Sequence, residues 1–230
     1  MLKIEEYPYC FHTLSNGIRL VHRYTPSIVS HCGLTIGVGS RDEKQSENGI
    51  SHFVEHCLFK GTERRKAFRI LDCIDGVGGE LNAFTTKEET CVYGLYLEQY
   101  HERFLDLLAD IVFHSTFPAQ AIEKEKEVIL DEINSYLDTP SEQIFDDFEQ
   151  MVFGNRGLGR MILGTPNKVK AMTQEKLQDF VRRNYTTDNM VLSTITSMPA
   201  EKWFALCEKY LGKEPKTECT NKRTSSGIYK

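Results

Sequence analysis

Two histidines and a glutamate within five residues constrain this chain more than any other feature of its sequence. The run His-Phe-Val-Glu-His places His52 and His56 four residues apart. On an α-helix, residues at that spacing lie on one face, and Glu55 lies beside that face. A helix is predicted here, because Ser46-Glu47-Asn48-Gly49 is a typical helix start and Gly61 is a typical stop. The fold must therefore present two imidazoles and a carboxylate from one helix.

Two imidazoles on one helical face are typical of a bound transition metal. Zinc binds neutral imidazole and carboxylate ligands, and a catalytic zinc site has three protein ligands and one open position. A third ligand must come from another segment. Glu125 and Glu132 are candidates, because their spacing of seven residues places both on one face of a helix predicted over Ala119–Leu137. The alternative is an ordinary surface helix with two histidines beside a solvated glutamate.

The charge distribution excludes several classes of partner. The chain has 230 residues and a net charge of −5, with acidic and basic residues mixed along its length. It has no basic stripe of the kind that nucleic-acid binders carry, and no run approaches the roughly 20 apolar residues of a membrane helix. We therefore expect neither a nucleic-acid nor a membrane partner. Seven scattered cysteines favour free thiols, and no signal peptide is recognisable, so we expect a cytoplasmic location.

The order of the predicted elements indicates an α+β fold. Apolar alternation predicts a hairpin around Ser15-Asn16-Gly17 and strands at Glu80–Phe84 and Thr90–Leu97. Longer helical stretches follow, and another strand is predicted at Met190–Thr196. We expect an antiparallel sheet with helices packed on one face and the His52 helix lying over it.

The end of the chain differs in composition from the rest. Residues 213–230 are polar and charged and lack apolar periodicity, which is typical of a linker. We predict a domain over residues 1–212 and, after it, a linker toward a missing C-terminal domain.

Five blocks of sequence, in order, resemble one known family. They are HFVEHCLFKGT (His52–Thr62), GGELNAFTTKEETCVYG (Gly78–Gly94), EKEVILDEI (Glu125–Ile133), LGRMILGT (Leu158–Thr165) and NYTTDNMVL (Asn184–Leu192). The chain resembles the pitrilysin (insulinase) family of zinc peptidases, and within it the β-subunit of mitochondrial processing peptidase and its bacterial relatives. The resemblance extends over nearly the whole chain and implies the fold of a half-subunit domain of that family.

This resemblance implies a role for each residue of the candidate site. His52 and His56 would bind one zinc ion per chain, and Glu132 would complete the ligand set. Glu55 would be the general base that takes a proton from a zinc-activated water. Glu125 would lie next to the ligands and orient one of them.

The same resemblance implies how a substrate binds. Asn82 and Ala83 match the edge strand against which the family's peptide substrates pair, and Phe84 is expected to face the pocket beside that strand. Glu88, in the same block, is expected to support the site. Taken as isolated residues, Asn82 favours a turn cap, Phe84 a core position and Glu88 a solvated surface.

The implied function is zinc-dependent endoproteolysis of extended, unfolded peptides. Active members of the family enclose the substrate with a second half, so we expect a second half-subunit or a homo-oligomer as partner and weak activity from this chain alone. The alternative is a non-catalytic binding or scaffold subunit of a processing-peptidase-like complex. The intact zinc ligands and Glu55 argue against that alternative, because a scaffold has no need of them.

Overall fold

A six-stranded sheet forms the framework of the molecule. The structure is a computed structural model and describes residues 8–220 and Arg223. Its strands are β1 (Tyr9–Thr13), β2 (Arg19–Tyr24), β3 (Val29–Ile36), β4 (Glu80–Thr85), β5 (Thr90–Leu97) and β6 (Met190–Thr196). Its α-helices are α1 (Ile50–Cys57), α2 (Ala67–Asp75), α3 (His101–Phe113), α4 (Ala119–Leu137), α5 (Pro140–Phe153), α6 (Pro166–Lys170), α7 (Gln174–Asn184) and α8 (Ala200–Cys207). The α+β class is confirmed.

The sheet is mixed, which corrects the prediction of an antiparallel sheet. Its order is β1-β2-β6-β3-β5-β4, so that β4 lies at one edge. Strands β2 and β6 run parallel, and the other neighbouring pairs are antiparallel. The reason is geometric, because β6 lies between β2 and β3, which run in opposite directions, and must be parallel to one of them.

Burial alternates along the strands, so one face of the sheet is covered and the other is open. In β3, Ser30, Cys32 and Leu34 are buried, whereas His31, which points to the opposite face, is exposed. Gly94 of β5 pairs with Cys32 and lies on the covered face, where an added Cβ would come 2.4 Å from the ring of Phe104 in α3. The helices therefore pack on one face of the sheet, as predicted.

Apolar residues at helical spacing hold α4 against the core. Ile122, Ile129 and Ile133 are buried, and they lie on one face of the helix. Glu125 shares this buried side, whereas Glu132 lies at its exposed margin. Helix α1 packs between α4 and β4. None of the helices in the described part of the chain is long and apolar enough to span a membrane.

The predicted linker begins in contact with the domain. The amide of Asn16 donates to the backbone carbonyl of Glu214 at 3.2 Å. Thr187 and Thr217 each donate a backbone N–H to the other's hydroxyl, at 2.9 and 3.0 Å. Residues 221, 222 and 224–230 lie outside the described residues, and the domain boundary at 212 stays a prediction.

Candidate metal centre

A buried carboxylate from outside the helix fixes the start of α1. Glu43 is 5% exposed, and it accepts the backbone N–H groups of Gly49 and Ser51, both at 2.9 Å, and the amide of Asn48 at 3.1 Å. Gly49 has φ of +91°, and an added Cβ would lie 2.8 Å from the carbonyl of Leu163, so no capping side chain fits there. Burial, which outweighs these donors, raises the pKa of Glu43 to about 7. No sequence motif identifies Glu43. A helix that starts at a glycine has no side-chain oxygen at that position to accept the N–H groups of its first turn, which signals that an acceptor comes from elsewhere.

One turn into α1, His52 and His56 point their Nε2 atoms toward each other. The two atoms are 3.2 Å apart. Burial, and then the neighbouring His56, lower the pKa of His52 to about 4, so its ring is neutral at neutral pH and carries a free lone pair. Burial alone would lower the pKa of His56, but the carboxylates of Glu132 and Glu125 raise it above its ordinary value.

Helix α4 brings a carboxylate to the same point. Oε2 of Glu132 lies 3.7 Å from Nε2 of His52 and 3.5 Å from Nε2 of His56. These contacts, with His56 first, lower the pKa of Glu132. Across residues 8–220 and Arg223, these three side chains form the one group of three whose ligand atoms lie close enough to hold a metal ion, within 4.8 Å of one another.

The donor set and its spacing fit zinc. Atoms bound about 2.1 Å from a tetrahedral ion are roughly 3.4 Å apart, and the three separations here are 3.2, 3.5 and 3.7 Å. Two imidazoles and a carboxylate are ligands typical of a catalytic zinc site with an open fourth position. The Glu132 side chain is 45% exposed, so the site opens toward solvent on that side. The structure thus brings the three predicted ligands together.

Glu125 lies behind His56 and differs sharply in burial from Glu132. It is 7% exposed, and its Oε2 lies 3.1 Å from Nδ1 of His56. An Nδ1–H that donates to this carboxylate leaves Nε2 free to bind a metal. Nδ1 of His52, in contrast, is buried and makes no hydrogen bond with any described residue.

Glu55 lies beside the ligands on the same helix. The hydroxyl of Thr85, the last residue of β4, donates to Oε2 of Glu55 at 3.2 Å. Burial raises the pKa of Glu55, and His56 and the Thr85 hydroxyl partly oppose this. The carboxylate is therefore anchored at one oxygen, next to the point where the three candidate ligands meet.

Asn82 and Ala83 lie on β4, which has a neighbouring strand on one side only within the described sheet. The side-chain Oδ1 of Asn82 accepts the backbone N–H of Ala83 at 2.8 Å. The side chain of Ala83 packs against the core on the helix-covered face. The two residues thus occupy a sheet edge next to α1, and their substrate-binding role stays a prediction.

Phe84 and Glu88 are not part of the group of candidate ligands. Side chains alternate along a strand, and Thr85 contacts Glu55, so Phe84 faces the open side of the sheet, where it is 41% exposed. Its expected place beside the substrate pocket stays a prediction. Glu88 forms an exposed ion pair with Arg41.

A cleft of about 540 Å³ opens beside His52 and Glu132. Helix α5 contributes one aromatic and three acidic side chains to its lining, namely Phe145, Glu142, Asp146 and Glu149. Nζ of Lys87, in the turn after β4, lies 2.6 Å from Asp146 and 3.0 Å from Glu149. No local sequence pattern indicates that α5 forms a wall of this cleft.

Family models match most of the chain. The model described as Insulinase (Peptidase family M16) matches residues 19–166, and the model described as Peptidase M16 inactive domain matches residues 171–229. The chain belongs to the insulinase family of peptidases. The family resemblance of the five sequence blocks is therefore confirmed.

Relatives of this insulinase-family chain carry zinc-protease names. The uncharacterized zinc protease YmxG of Bacillus subtilis is 39% identical over 204 residues, which cover 86% of this chain and 50% of the relative. The β-subunit of mitochondrial-processing peptidase from Saccharomyces cerevisiae is 35% identical over 206 residues, which cover 89% of this chain and 45% of the relative. The chain thus spans about half the length of these relatives. Their names support a metalloprotease family that uses zinc.

Solved structures show the same fold. The periplasmic protease PqqL from Escherichia coli has a TM-score of 0.87 at 22% identity, over 94% of this chain and 25% of that one. Pitrilysin has a TM-score of 0.84 at 18% identity, over 95% of this chain and 24% of that one. At these identities the likeness concerns the fold alone, which is that of a pitrilysin-like α+β domain.

Proposed function

We propose that this chain is the zinc-binding half of a metalloendopeptidase that hydrolyses extended, unfolded peptides. The observation that carries the proposal is the convergence of His52, His56 and Glu132 beside Glu55. All four side chains come from two helices, α1 and α4, that are packed on the core. A site on rigid elements is what metal-assisted hydrolysis requires.

The three ligands would hold one zinc ion per chain. Nε2 of His52, Nε2 of His56 and Oε2 of Glu132 are the binding atoms, and Glu125 orients the His56 ring. When bound, zinc polarises the scissile carbonyl and lowers the pKa of a water in the open position to about 7.

Glu55 is the group that moves the proton. Its carboxylate takes the proton of the attacking water and returns it to the leaving amine, as a general base and then a general acid. The hydroxyl of Thr85 donates to one oxygen of Glu55 at 3.2 Å, which favours the carboxylate orientation that keeps this contact. This contact links the catalytic group to the end of β4.

The free edge of β4 is the proposed site for the substrate backbone. An extended peptide can add to a sheet edge through main-chain hydrogen bonds, which are the same for any sequence. The N–H of Ala83 now donates to the side chain of Asn82, and a peptide carbonyl would take that place. The edge ends at Thr85, next to Glu55, so a bound peptide would run past the ligands. This arrangement supports a preference for unfolded substrates.

The proposed enzyme needs a second half for full activity. The chain spans about half of its relatives, and the cleft beside Glu132 is open to solvent. A second half-subunit or a second copy of the chain would cover it. A scaffold role is less well supported, because it gives no reason for the four site residues to converge. A cytoplasmic location remains a prediction, and PqqL, a relative by fold, is described as periplasmic.

The test is peptide cleavage with controlled metal content. The chain is assayed alone and after co-expression with the half of the B. subtilis relative that it does not match. The substrates are an unstructured quenched peptide and a folded protein. We expect one zinc per chain, cleavage of the unstructured peptide, loss with a chelator and recovery with added zinc. Cleavage that survives complete zinc removal, or a chain that binds no zinc, would refute the proposal.

A further inference from the structure

A lysine continues the spacing of the two histidines. Lys60 follows His56 by four residues, as His56 follows His52, and it lies in the turn directly after α1. Its backbone N–H donates to the carbonyl of Cys57 at 3.1 Å, so the chain still turns as it leaves the helix. The ammonium group therefore stays on the side of α1 that faces α4.

Lys60 contacts the carboxylate that supports His56. Nζ of Lys60 lies 2.7 Å from Oε1 of Glu125, while the other oxygen, Oε2, lies 3.1 Å from Nδ1 of His56. The two oxygens of Glu125 are thus engaged by two different cationic or donor groups. The side chain of Lys60 is 34% exposed, whereas the side chain of Glu125 is 9% exposed.

We propose that Lys60 is a positioning residue that fixes the His56 ring through Glu125. A carboxylate held at one oxygen can rotate about its last bond, but a carboxylate held at both oxygens cannot do so without losing a contact. The ammonium charge also compensates the charge of a nearly buried carboxylate, which is costly to leave unpaired. Lys60 thereby keeps Oε2 of Glu125 directed at Nδ1 of His56, and keeps Nε2 of His56 directed at the metal position.

This role makes the two histidines unequal. The ring of His56 is held by Glu125 and, through it, by Lys60. Nδ1 of His52 has no partner among the described residues. This inference rests on the proposed function in one respect, which is that the bound ion is zinc. The competing interpretation is a partly exposed ion pair, which on a surface contributes little to stability and nothing to metal binding.

The experiment measures the zinc dissociation constant of the purified chain by competition with a chromogenic chelator. The variants are K60M, K60R, E125Q and the double variant K60M/E125Q. The matched control is K126M, because Lys126 lies beside Glu125 on α4 and pairs with Glu123 at 2.6 Å, away from the ligands. Thermal unfolding of each metal-free variant reports on folding.

Partners that orient a metal ligand typically contribute about 10- to 100-fold to metal affinity. We expect K60M to weaken zinc binding about 10-fold and E125Q at least as much, with K126M within about 2-fold of the parent. The double variant should bind zinc no more weakly than E125Q alone, because Lys60 acts through Glu125. K60R, which keeps the charge and reaches as far, should restore most of the affinity.

Four results would overturn the inference, and the first three concern zinc affinity. They are an unchanged zinc affinity in K60M, equal losses in K60M and K126M, and additive losses in the double variant. A K60M chain that loses thermal stability while K60R neither restores it nor binds zinc normally would also contradict it. A parent chain that binds no zinc would instead refute the proposed function, so the two failures are distinguishable.

Discussion

Helices α1 and α5 both line the cleft, but they are held in the fold in opposite ways. Six of the eight residues of α1 are buried, whereas none of the fourteen residues of α5 is buried. Helix α5 turns Ile144, Phe148 and Met151 toward solvent, with exposures of 62%, 64% and 85%. Its acidic side faces the cleft, where Lys87 and the hydroxyl of Tyr136 contact Asp146.

This difference in burial separates the proposed metal ligands and base, which include residues of α1, from the residues of α5 that surround the cleft. Metal ligands must be placed to within a few tenths of an ångström, and a buried helix with a fixed start provides this. A wall that contacts peptides of varied sequence has no such requirement. We therefore expect substitutions in α1 to affect chemistry and folding, and substitutions in α5 to affect substrate binding.

The largest effect is expected from replacing Glu55, the proposed proton carrier of α1. E55Q keeps the size of the side chain and all three ligands but cannot accept a proton, so we expect a loss of about 1,000-fold or more in turnover. Zinc content, measured by mass spectrometry of the metal, should stay at the parent value. E127Q, at an exposed position of α4, is the control. Comparable turnover in E55Q and E127Q would eliminate Glu55 as the base.

Two phenylalanines compare the helices directly. Phe53 in α1 is fully buried and Phe148 in α5 is 64% exposed. We expect F53A to lower the free energy of unfolding by about 3–5 kcal/mol and F148A to change it by less than about 0.5 kcal/mol. Urea denaturation of the metal-free chain measures both. A loss above about 2 kcal/mol in F148A would mean that α5 is covered in solution, and would contradict the contrast drawn here.

The fixed start of α1 is expected to depend on Glu43. E43A leaves the buried N–H groups of Gly49 and Ser51 without an acceptor, and we expect a loss of about 1–3 kcal/mol in the free energy of unfolding. The zinc affinity should fall together with the stability, since His52 is the next residue after Ser51.

The pH dependence of the free energy of unfolding should isolate the contribution of Glu43. Its pKa is about 7 when folded against an ordinary 4.5, so the folded chain binds this proton more tightly than the unfolded chain. The free energy of unfolding should therefore fall as pH rises from about 4.5 to 7, by up to about 3 kcal/mol from this group. The E43Q variant should lack that component of the slope. Parallel curves for the parent and E43Q would contradict the assignment.

The smallest effect is expected at the contact that holds α5. K87M removes the ammonium group that bridges Asp146 and Glu149. We expect KM for an unstructured peptide to rise about 3- to 10-fold with kcat nearly unchanged, since the ligands and Glu55 are untouched. K44M, which removes an exposed ion pair with Glu47, is the control. A fall in kcat without a change in KM would place Lys87 in the chemistry rather than in the wall.

Local pattern was sufficient for most of the elements that carry the site. Helix α4 begins and ends at the predicted residues, and β5 and β6 also match their predicted bounds, because apolar spacing and helix-breaking residues are local signals. The parallel pairing of β2 with β6 was not predictable in the same way. It joins residues more than 160 positions apart, and neither strand carries a local sign of its partner.

The residues of the candidate site also fall into those that local spacing predicts and those that only the fold brings together. His52, Glu55 and His56 followed from spacing on one helix, and Glu125 and Glu132 from spacing on another, with the family resemblance choosing between them. Which face of β4 is covered had to come from the structure, because alternation along a strand does not say which set of side chains meets the helices. Glu43 and Lys87 belong to no motif, because their roles depend on contacts made across the fold.

The central claim concerns a single coordination sphere, and a crystal structure of the zinc-loaded chain tests it most directly. Anomalous scattering at the zinc edge locates the ion without reference to the model of the protein. The account predicts one ion within about 2.0–2.2 Å of Nε2 of His52, Nε2 of His56 and a carboxylate oxygen of Glu132. An ion held by the two histidines with Glu132 turned away, or an ion bound elsewhere in the chain, would contradict it.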